Sequence, residues 1–68
     1  MAEQYVRIVL PNGSVFLLKN IDGDCYVNEV KCDEATFKFI LRAYAFSYGE
    51  CLTKEEYEDL LLIRELSK

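Results

Sequence analysis

The chain has 68 residues, 51% of them hydrophobic, and carries twelve acidic against eight basic side chains for a net charge of −4. A chain this short forms one domain, residues 1–68, and its apolar content predicts a folded protein rather than a disordered one. The acidic balance, with no basic cluster, argues against direct binding of DNA or RNA. No apolar run approaches the roughly 20 residues that cross a membrane, and the start lacks the pattern of a secretory signal, so we expect a cytoplasmic protein.

Two tight turns are predicted in the first half of the chain. Residues 4–10 alternate in polarity, as a half-buried strand does, and Pro11-Asn12-Gly13 follows them. That tripeptide suits either a type I turn in which Gly13 takes a positive φ or a type I′ turn centred on Asn-Gly. Residues 15–19 return as a second strand, and Asp22-Gly23 predicts another hairpin turn before a third strand at residues 25–31.

Two helices are predicted in the second half. Asp33 is a suitable N-cap for the first helix, and Gly49 can supply the left-handed residue that ends many helices. Thr53 and Glu56 form the pattern of a capping box, which predicts a second helix over residues 54–66. The expected fold is therefore α+β: a three-stranded antiparallel β-meander followed by two α-helices packed on one face, in the order βββαα.

The first helix carries two apolar sides where a small surface helix needs one. At about 100° per residue, one stripe is suited to the core and contains Phe37, Ile40, Leu41, Tyr44 and Tyr48. A second stripe contains Phe39, Ala43 and Phe46. So short a chain has little protein with which to cover both. The sequence therefore predicts that Phe39 and Phe46 bind another chain, with burial inside the monomer as the alternative.

The second helix also carries apolar residues on two sides. A broad inward side is predicted for Tyr57, Leu60, Leu61 and Ile63. Leu62 and Leu66 form an i,i+4 apolar pair on the other side, among acidic residues. We expect Leu62 and Leu66 to bind a partner, surrounded by a polar rim of Glu55, Glu58 and Asp59.

No catalytic residue, cofactor site or metal site is predicted. The chain has no histidine and no Gly-rich phosphate loop, which argues against an enzyme and against a small-molecule substrate. Cys25, Cys32 and Cys51 are odd in number and form no CxxC pair, which indicates free thiols rather than a zinc site. Residues 20–24 resemble the opening of a calcium loop, but counted from Asn20 the sixth and twelfth positions are Cys25 and Lys31, where such a loop needs Gly and Glu.

These features favour a small acidic, non-enzymatic protein–protein interaction module that self-associates, for which a homodimer is the simplest form. A stand-alone acidic domain also suits an accessory protein of a phage or mobile element that binds and inhibits a host protein. The alternative is a nucleic-acid mimic, in which Glu55, Glu58, Asp59 and Glu65 form a partial acidic face that occupies a basic groove of a nucleic-acid-handling protein.

Overall fold

The computed structural model describes residues 2–66, except for the side chain of Glu65. Five strands form one sheet in the order β4-β3-β2-β1-β5, and every neighbouring pair is antiparallel. The strands are β1 (Glu3–Val9), β2 (Val15–Ile21), β3 (Asp24–Val27), β4 (Val30–Cys32) and β5 (Gly49–Leu52). The helical elements are α1 (Glu34–Ile40), a π-helical segment (Leu41–Ala45) that continues it, α2 (Phe46–Tyr48) and α3 (Lys54–Leu66).

The prediction of a three-stranded meander is wrong, because the sheet has five strands. The predicted α+β class is compatible with the structure. The expected third strand at residues 25–31 is a hairpin, because Asn28 and Glu29 both adopt positive φ, 51° and 67°. They form a two-residue turn between Val27 and Val30, which are paired across β3 and β4. Two successive positive φ angles define a type I′ turn, and Asn-Glu lacks the glycine that usually marks one in a sequence.

In the sequence, β5 lies between the first helix and α3. Gly49 does not take the left-handed conformation predicted for it: its φ of −92° and ψ of 152° are extended, and it begins β5. This strand pairs antiparallel with β1, with Gly49 opposite Ile8 and Leu52 opposite Tyr5. The chain therefore leaves the first helix along the outer edge of β1.

The helices cover opposite faces of the sheet, so the prediction that both pack on one face is wrong. Alternate residues of a strand point to opposite faces. On one face Phe37 of α1 packs in a core cluster with Val6, Ile8, Leu18 and Cys25. On the other face Tyr57 of α3 packs with Tyr5 and Leu17. The molecule has three layers, and β5 carries the chain around the sheet edge from one outer layer to the other.

The two predicted turns in the first half are confirmed in detail. Gly13 has a φ of 89°, while Asn12 is not among the residues of positive φ, so the first turn is of type I followed by a left-handed glycine. The Gly13 N–H donates to the carbonyl of Leu10 at 2.9 Å, which closes that turn. At the second turn Asp22 and Gly23 both have positive φ, as a type I′ hairpin requires.

The predicted helix starts are also confirmed. The Asp33 carboxylate accepts a hydrogen bond from the Thr36 N–H at 3.0 Å. Before α3, the Thr53 N–H donates to Glu56 Oε1 at 2.9 Å, and the Glu56 N–H donates to Thr53 Oγ1 at 3.1 Å. Local side-chain chemistry therefore determines where both helices begin.

The π-helical segment changes which side chains reach the core. Its i→i+5 hydrogen bonding admits an extra residue, which rotates later positions relative to an uninterrupted α-helix. Tyr44 and Ala45 both pack against the core cluster, whereas Tyr48, predicted on the core stripe, is 43% exposed. A Cβ atom on Gly49 would lie 2.7 Å from the Cα and carbonyl oxygen of Ala45. Glycine is needed there for close approach rather than for an unusual φ.

Candidate functional site

Four apolar side chains predicted to bind a partner are exposed. The exposed fractions are 68% for Phe39, 98% for Phe46, 61% for Leu62 and 78% for Leu66. Burial inside the monomer, the alternative considered for Phe39 and Phe46, is therefore not observed. Because the first helix and α3 cover opposite faces of the sheet, these two pairs of side chains lie on opposite sides of the molecule.

The two apolar surfaces differ in charge. The first-helix surface consists of Phe39 and Phe46 with the exposed cations Lys38 and Arg42. Lys38 Nζ pairs with a Glu34 carboxylate oxygen at 2.7 Å, whereas Arg42 makes no ion pair with any described residue. The α3 surface consists of Leu62 and Leu66 with the exposed carboxylates Glu55, Glu58 and Asp59. One surface is therefore basic at its rim and the other acidic.

The acidic residues of the α3 surface do not form one continuous row. Glu58 lines a groove of about 390 Å³ beside the β3–β4 turn, together with Glu29, Leu61 and Leu62. Asp59 lines a groove of about 220 Å³ on the β5 side, where Glu56 and Glu50 also lie. The carboxylates consequently diverge around the leucine pair instead of following a single line.

A polar network that periodicity did not predict joins the β3–β4 turn to β2 and α3. Glu29 Oε1 accepts a hydrogen bond from the Tyr57 hydroxyl at 2.9 Å, and Glu29 Oε2 accepts one from Lys19 Nζ at 2.9 Å. Lys19 Nζ also lies 4.9 Å from the centroid of the Tyr26 ring. Burial raises the pKa of Tyr57, and its hydrogen bond to Glu29 raises it further. Tyr57 therefore stays protonated as a donor.

The pKa of Glu29 responds to two opposing influences. Burial raises it, while the hydrogen bonds from Lys19 and Tyr57 lower it, and the net result is a pKa below the ordinary value of a glutamate. The carboxylate is thus ionised in the folded protein and holds three elements together. Both carboxylate oxygens of Glu29 accept hydrogen bonds from donors within the protein, so this network is structural rather than a site for a ligand.

A groove of about 360 Å³ opens between α3 and strands β1 and β2. The side chains and backbone that line it come from Arg7, Gly13, Val15, Leu17, Leu60, Ile63 and Arg64. We call it the arginine groove, because it is lined by two guanidinium groups and by no carboxylate. Sequence reasoning missed this groove because its two cations come from opposite ends of the chain, and only the packing of α3 on β1 brings them together.

The hydrogen bonding of the two arginines is incomplete. Arg7 pairs through one terminal nitrogen with Glu50, its neighbour across β1 and β5. Its Nε is buried and has no hydrogen-bond partner in the described part of the chain. A buried donor without an acceptor costs about 1–3 kcal/mol. Arg64 donates to the side-chain oxygen of Asn28 at 3.2 Å, which is a neutral acceptor, and has no ion pair among residues 2–66.

The three cysteines are free, but they are not all buried. Cys25 is buried, Cys32 is half-buried and Cys51 is exposed on β5. Cys25 and Cys32 lie directly opposite each other on β3 and β4. Burial is the main cause that raises the pKa of both thiols, so neither is an activated nucleophile. In the described residues, no three His, Cys, Asp or Glu side chains cluster as metal ligands.

Comparison of the chain with protein-family models, with curated proteins and with solved structures gives no match. Among the described helices, none combines the length and the apolar character needed to cross a membrane. The function is therefore argued from the surfaces and the groove described above.

Proposed function

We propose that this chain is a small, cytoplasmic, non-enzymatic protein–protein interaction module that self-associates. The observation that supports this proposal is the exposure of Phe39, Phe46, Leu62 and Leu66 on the outer sides of helices whose inner sides already cover the sheet. Residues 2–66 form no further layer that could bury them. Clustered exposed apolar side chains with a polar rim are typical of protein interfaces.

The charges indicate how two copies meet. A symmetric contact through the α3 surface would place Glu58 and its neighbours against the same carboxylates of the second copy, and like charges oppose association. Contact between the first-helix surface of one copy and the α3 surface of the next instead brings Arg42 towards Glu58 and joins the two apolar pairs. This arrangement is heterologous, because each copy contributes a different surface.

The same surfaces suit a phage or mobile-element accessory protein that inhibits a host protein. The α3 surface would then fit an apolar groove with a basic rim on that protein. Nucleic-acid mimicry has less support, since Leu62 and Leu66 interrupt the carboxylates and Glu58 and Asp59 diverge into separate grooves.

Light scattering over a range of protein concentrations tests self-association. We expect the average mass of the unaltered protein to rise above the monomer mass of 7.9 kDa as concentration increases. Phe46→Ser and Leu62→Ser each remove one apolar group from one surface. Each variant is expected to lower the association constant by at least about tenfold, so that its average mass stays closer to that of the monomer.

Val30→Ser provides a matched control for these variants. Val30 is 69% exposed on the edge strand β4 and belongs to neither helix surface, so this variant should associate as the unaltered protein does. Circular dichroism establishes that each variant is folded. A strictly monomeric wild-type protein, or folded Phe46→Ser and Leu62→Ser variants that associate undiminished, would contradict the proposal.

A further inference from the structure

We propose that the arginine groove is a binding site for a small amphiphilic carboxylate, meaning an apolar chain or ring that ends in a single carboxylate. The apolar walls are provided by Val15 and Leu17 of β2 and by Leu60 and Ile63 of α3. The polar ends are the guanidinium groups of Arg7 and Arg64. A mostly apolar concave surface with a few polar groups is the usual composition of a small-molecule site.

The charge of the groove sets the kind of head group. The chain carries twelve acidic and eight basic side chains, yet two cations and no carboxylate line this groove. A guanidinium offers parallel N–H donors that match the two oxygens of a carboxylate. A cationic head group would be repelled, and a neutral one would not use the positive charge of Arg64.

The two arginines differ in how far the protein satisfies them. Arg7 is partly neutralised by Glu50, and its Nε is buried and not accessible to a ligand. Within residues 2–66 Arg64 donates to a neutral amide oxygen, that of Asn28, and forms no ion pair, although its charge helps to lower the pKa of Glu29. Arg64 is therefore the principal anion-binding group, and Arg7 contributes positive charge from the sheet side of the groove.

The size of the groove favours a free small molecule over a segment of a partner protein. Its volume of about 360 Å³ lies near the lower end of the range of roughly 300–1,000 Å³ for small-molecule sites. The groove differs in its lining from the proposed interface, since neither Leu62 nor Leu66 lines it. The ligand is bound and not converted, because none of the lining residues is a nucleophile or a general base.

Octanoate is a suitable probe, and octanamide is its uncharged counterpart of similar shape. In a titration followed by amide nuclear magnetic resonance, we expect saturable shifts at Val15, Leu17 and Leu60 with millimolar octanoate. Octanamide should bind at least about tenfold more weakly, because it lacks the charge-assisted hydrogen bonds. The titration is run at a protein concentration where light scattering shows the monomer, which separates it from self-association.

Three variants define the site. Arg64→Gln removes the main anion-binding group and should weaken octanoate binding by about tenfold or more, with little effect on octanamide. Lys54→Gln removes one positive charge from an exposed position on the same helix and should leave binding unchanged. Val15→Phe fills the groove without altering charge and should weaken both ligands.

Several results would overturn the proposal. These are the absence of saturable shifts at the groove amides, equal binding of octanoate and octanamide, and equal effects of Arg64→Gln and Lys54→Gln. Binding of a carboxylate-bearing peptide segment in the absence of octanoate binding would also overturn it, because the groove would then be a protein-docking surface. Arg64 is exposed, so its replacement leaves the core intact and the test remains interpretable.

Discussion

Glu29 stabilises the fold from a backbone conformation that is itself unfavourable. Its φ of 67° is one that non-glycine residues rarely adopt, at a cost of order 1–3 kcal/mol. The strain is offset by hydrogen bonds to Lys19 and Tyr57, which tie the β3–β4 turn to β2 and α3. A glycine at this position would fit the backbone better but could not make either bond.

The lowered pKa of Glu29 predicts a pH-dependent contribution to stability. The unfolded chain, with an ordinary glutamate pKa of about 4.3, takes up a proton more readily than the folded protein does. The contribution is therefore complete above that ordinary pKa and is lost as pH falls through the lower folded-state pKa. Glu29→Gln should reduce the free energy of unfolding at pH 7 by less than about 1 kcal/mol, because the carboxylate is partly exposed to solvent.

Urea denaturation of the unaltered protein and the Glu29→Gln variant at neutral and at acid pH measures this effect. The difference between the two proteins should shrink as the pH is lowered below about 4. Glu55→Gln, at an exposed position on α3, is the control and should show no such convergence. A difference that stays constant with pH would assign the effect to packing rather than to the charge of Glu29.

The junction of the π-helical segment, α2 and β5 depends on a close backbone approach. Within it the helix gives way to an extended strand in a single step at Gly49. The three nearest atoms to a Cβ at this position all belong to Ala45, and two of them are backbone atoms. A side chain there could not be accommodated by rotation of a neighbouring side chain.

Gly49→Ala should therefore destabilise the protein although alanine is compatible with the backbone angles of residue 49. We expect the free energy of unfolding to fall by about 1–3 kcal/mol, the usual cost of overpacking, as measured by urea denaturation. Ser47→Ala, at an exposed position in α2, is expected to stay within about 0.5 kcal/mol of the unaltered protein. If both variants are equally stable, residues 45 and 49 are not in close contact.

The elements that sequence reasoning found are those encoded by local chemistry. Asp22-Gly23, the Asp33 cap and the Thr53 capping box each act over a few residues, and all three are confirmed. Strand β5 was missed because Gly-Glu-Cys-Leu has no alternating pattern of its own and becomes a strand only by pairing with β1. The hairpin at Glu29 was missed because its unusual backbone is supported by distant side chains.

The layer order was missed for a related reason. Alternation along β1 was visible, but Tyr5 and Leu17 were not recognised as a second buried face that needs its own helix. Helical spacing identified the apolar pairs of the proposed interface, but for Phe39 and Phe46 it left burial inside the monomer open. The arginine groove could not, since its two cations belong to different elements and meet only in the folded protein.

The whole molecule presents two apolar surfaces of opposite charge on opposite sides. When two copies join through unlike surfaces on opposite sides, each copy still has one surface free. The proposed contact therefore adds further copies in an open assembly instead of forming a closed two-fold dimer. We expect the average mass to rise continuously with protein concentration rather than to stop at twice the monomer mass. Added salt should weaken the assembly, since part of its stability comes from exposed charges.

Charge reversal tests which surfaces meet. Arg42→Glu and Glu58→Lys should each weaken association by about three- to tenfold, because each places like charges across the contact. The double variant should recover much of the loss. Sedimentation velocity measures the change, with Lys31→Glu on β4 as a control outside both surfaces. A double variant that associates no better than either single variant would show that these two residues do not face each other.

Strand β5 also determines when the sheet can be completed as the chain is synthesised. The first four strands are joined by short turns and can pair as they emerge from the ribosome, but the outer edge of β1 stays open until residue 52 has appeared. Until then its unpaired N–H and C=O groups can accept a strand from a second nascent chain. Gly49 directly follows Tyr48, the last residue of α2, so β5 is placed beside this edge as soon as the first helix has packed on the sheet.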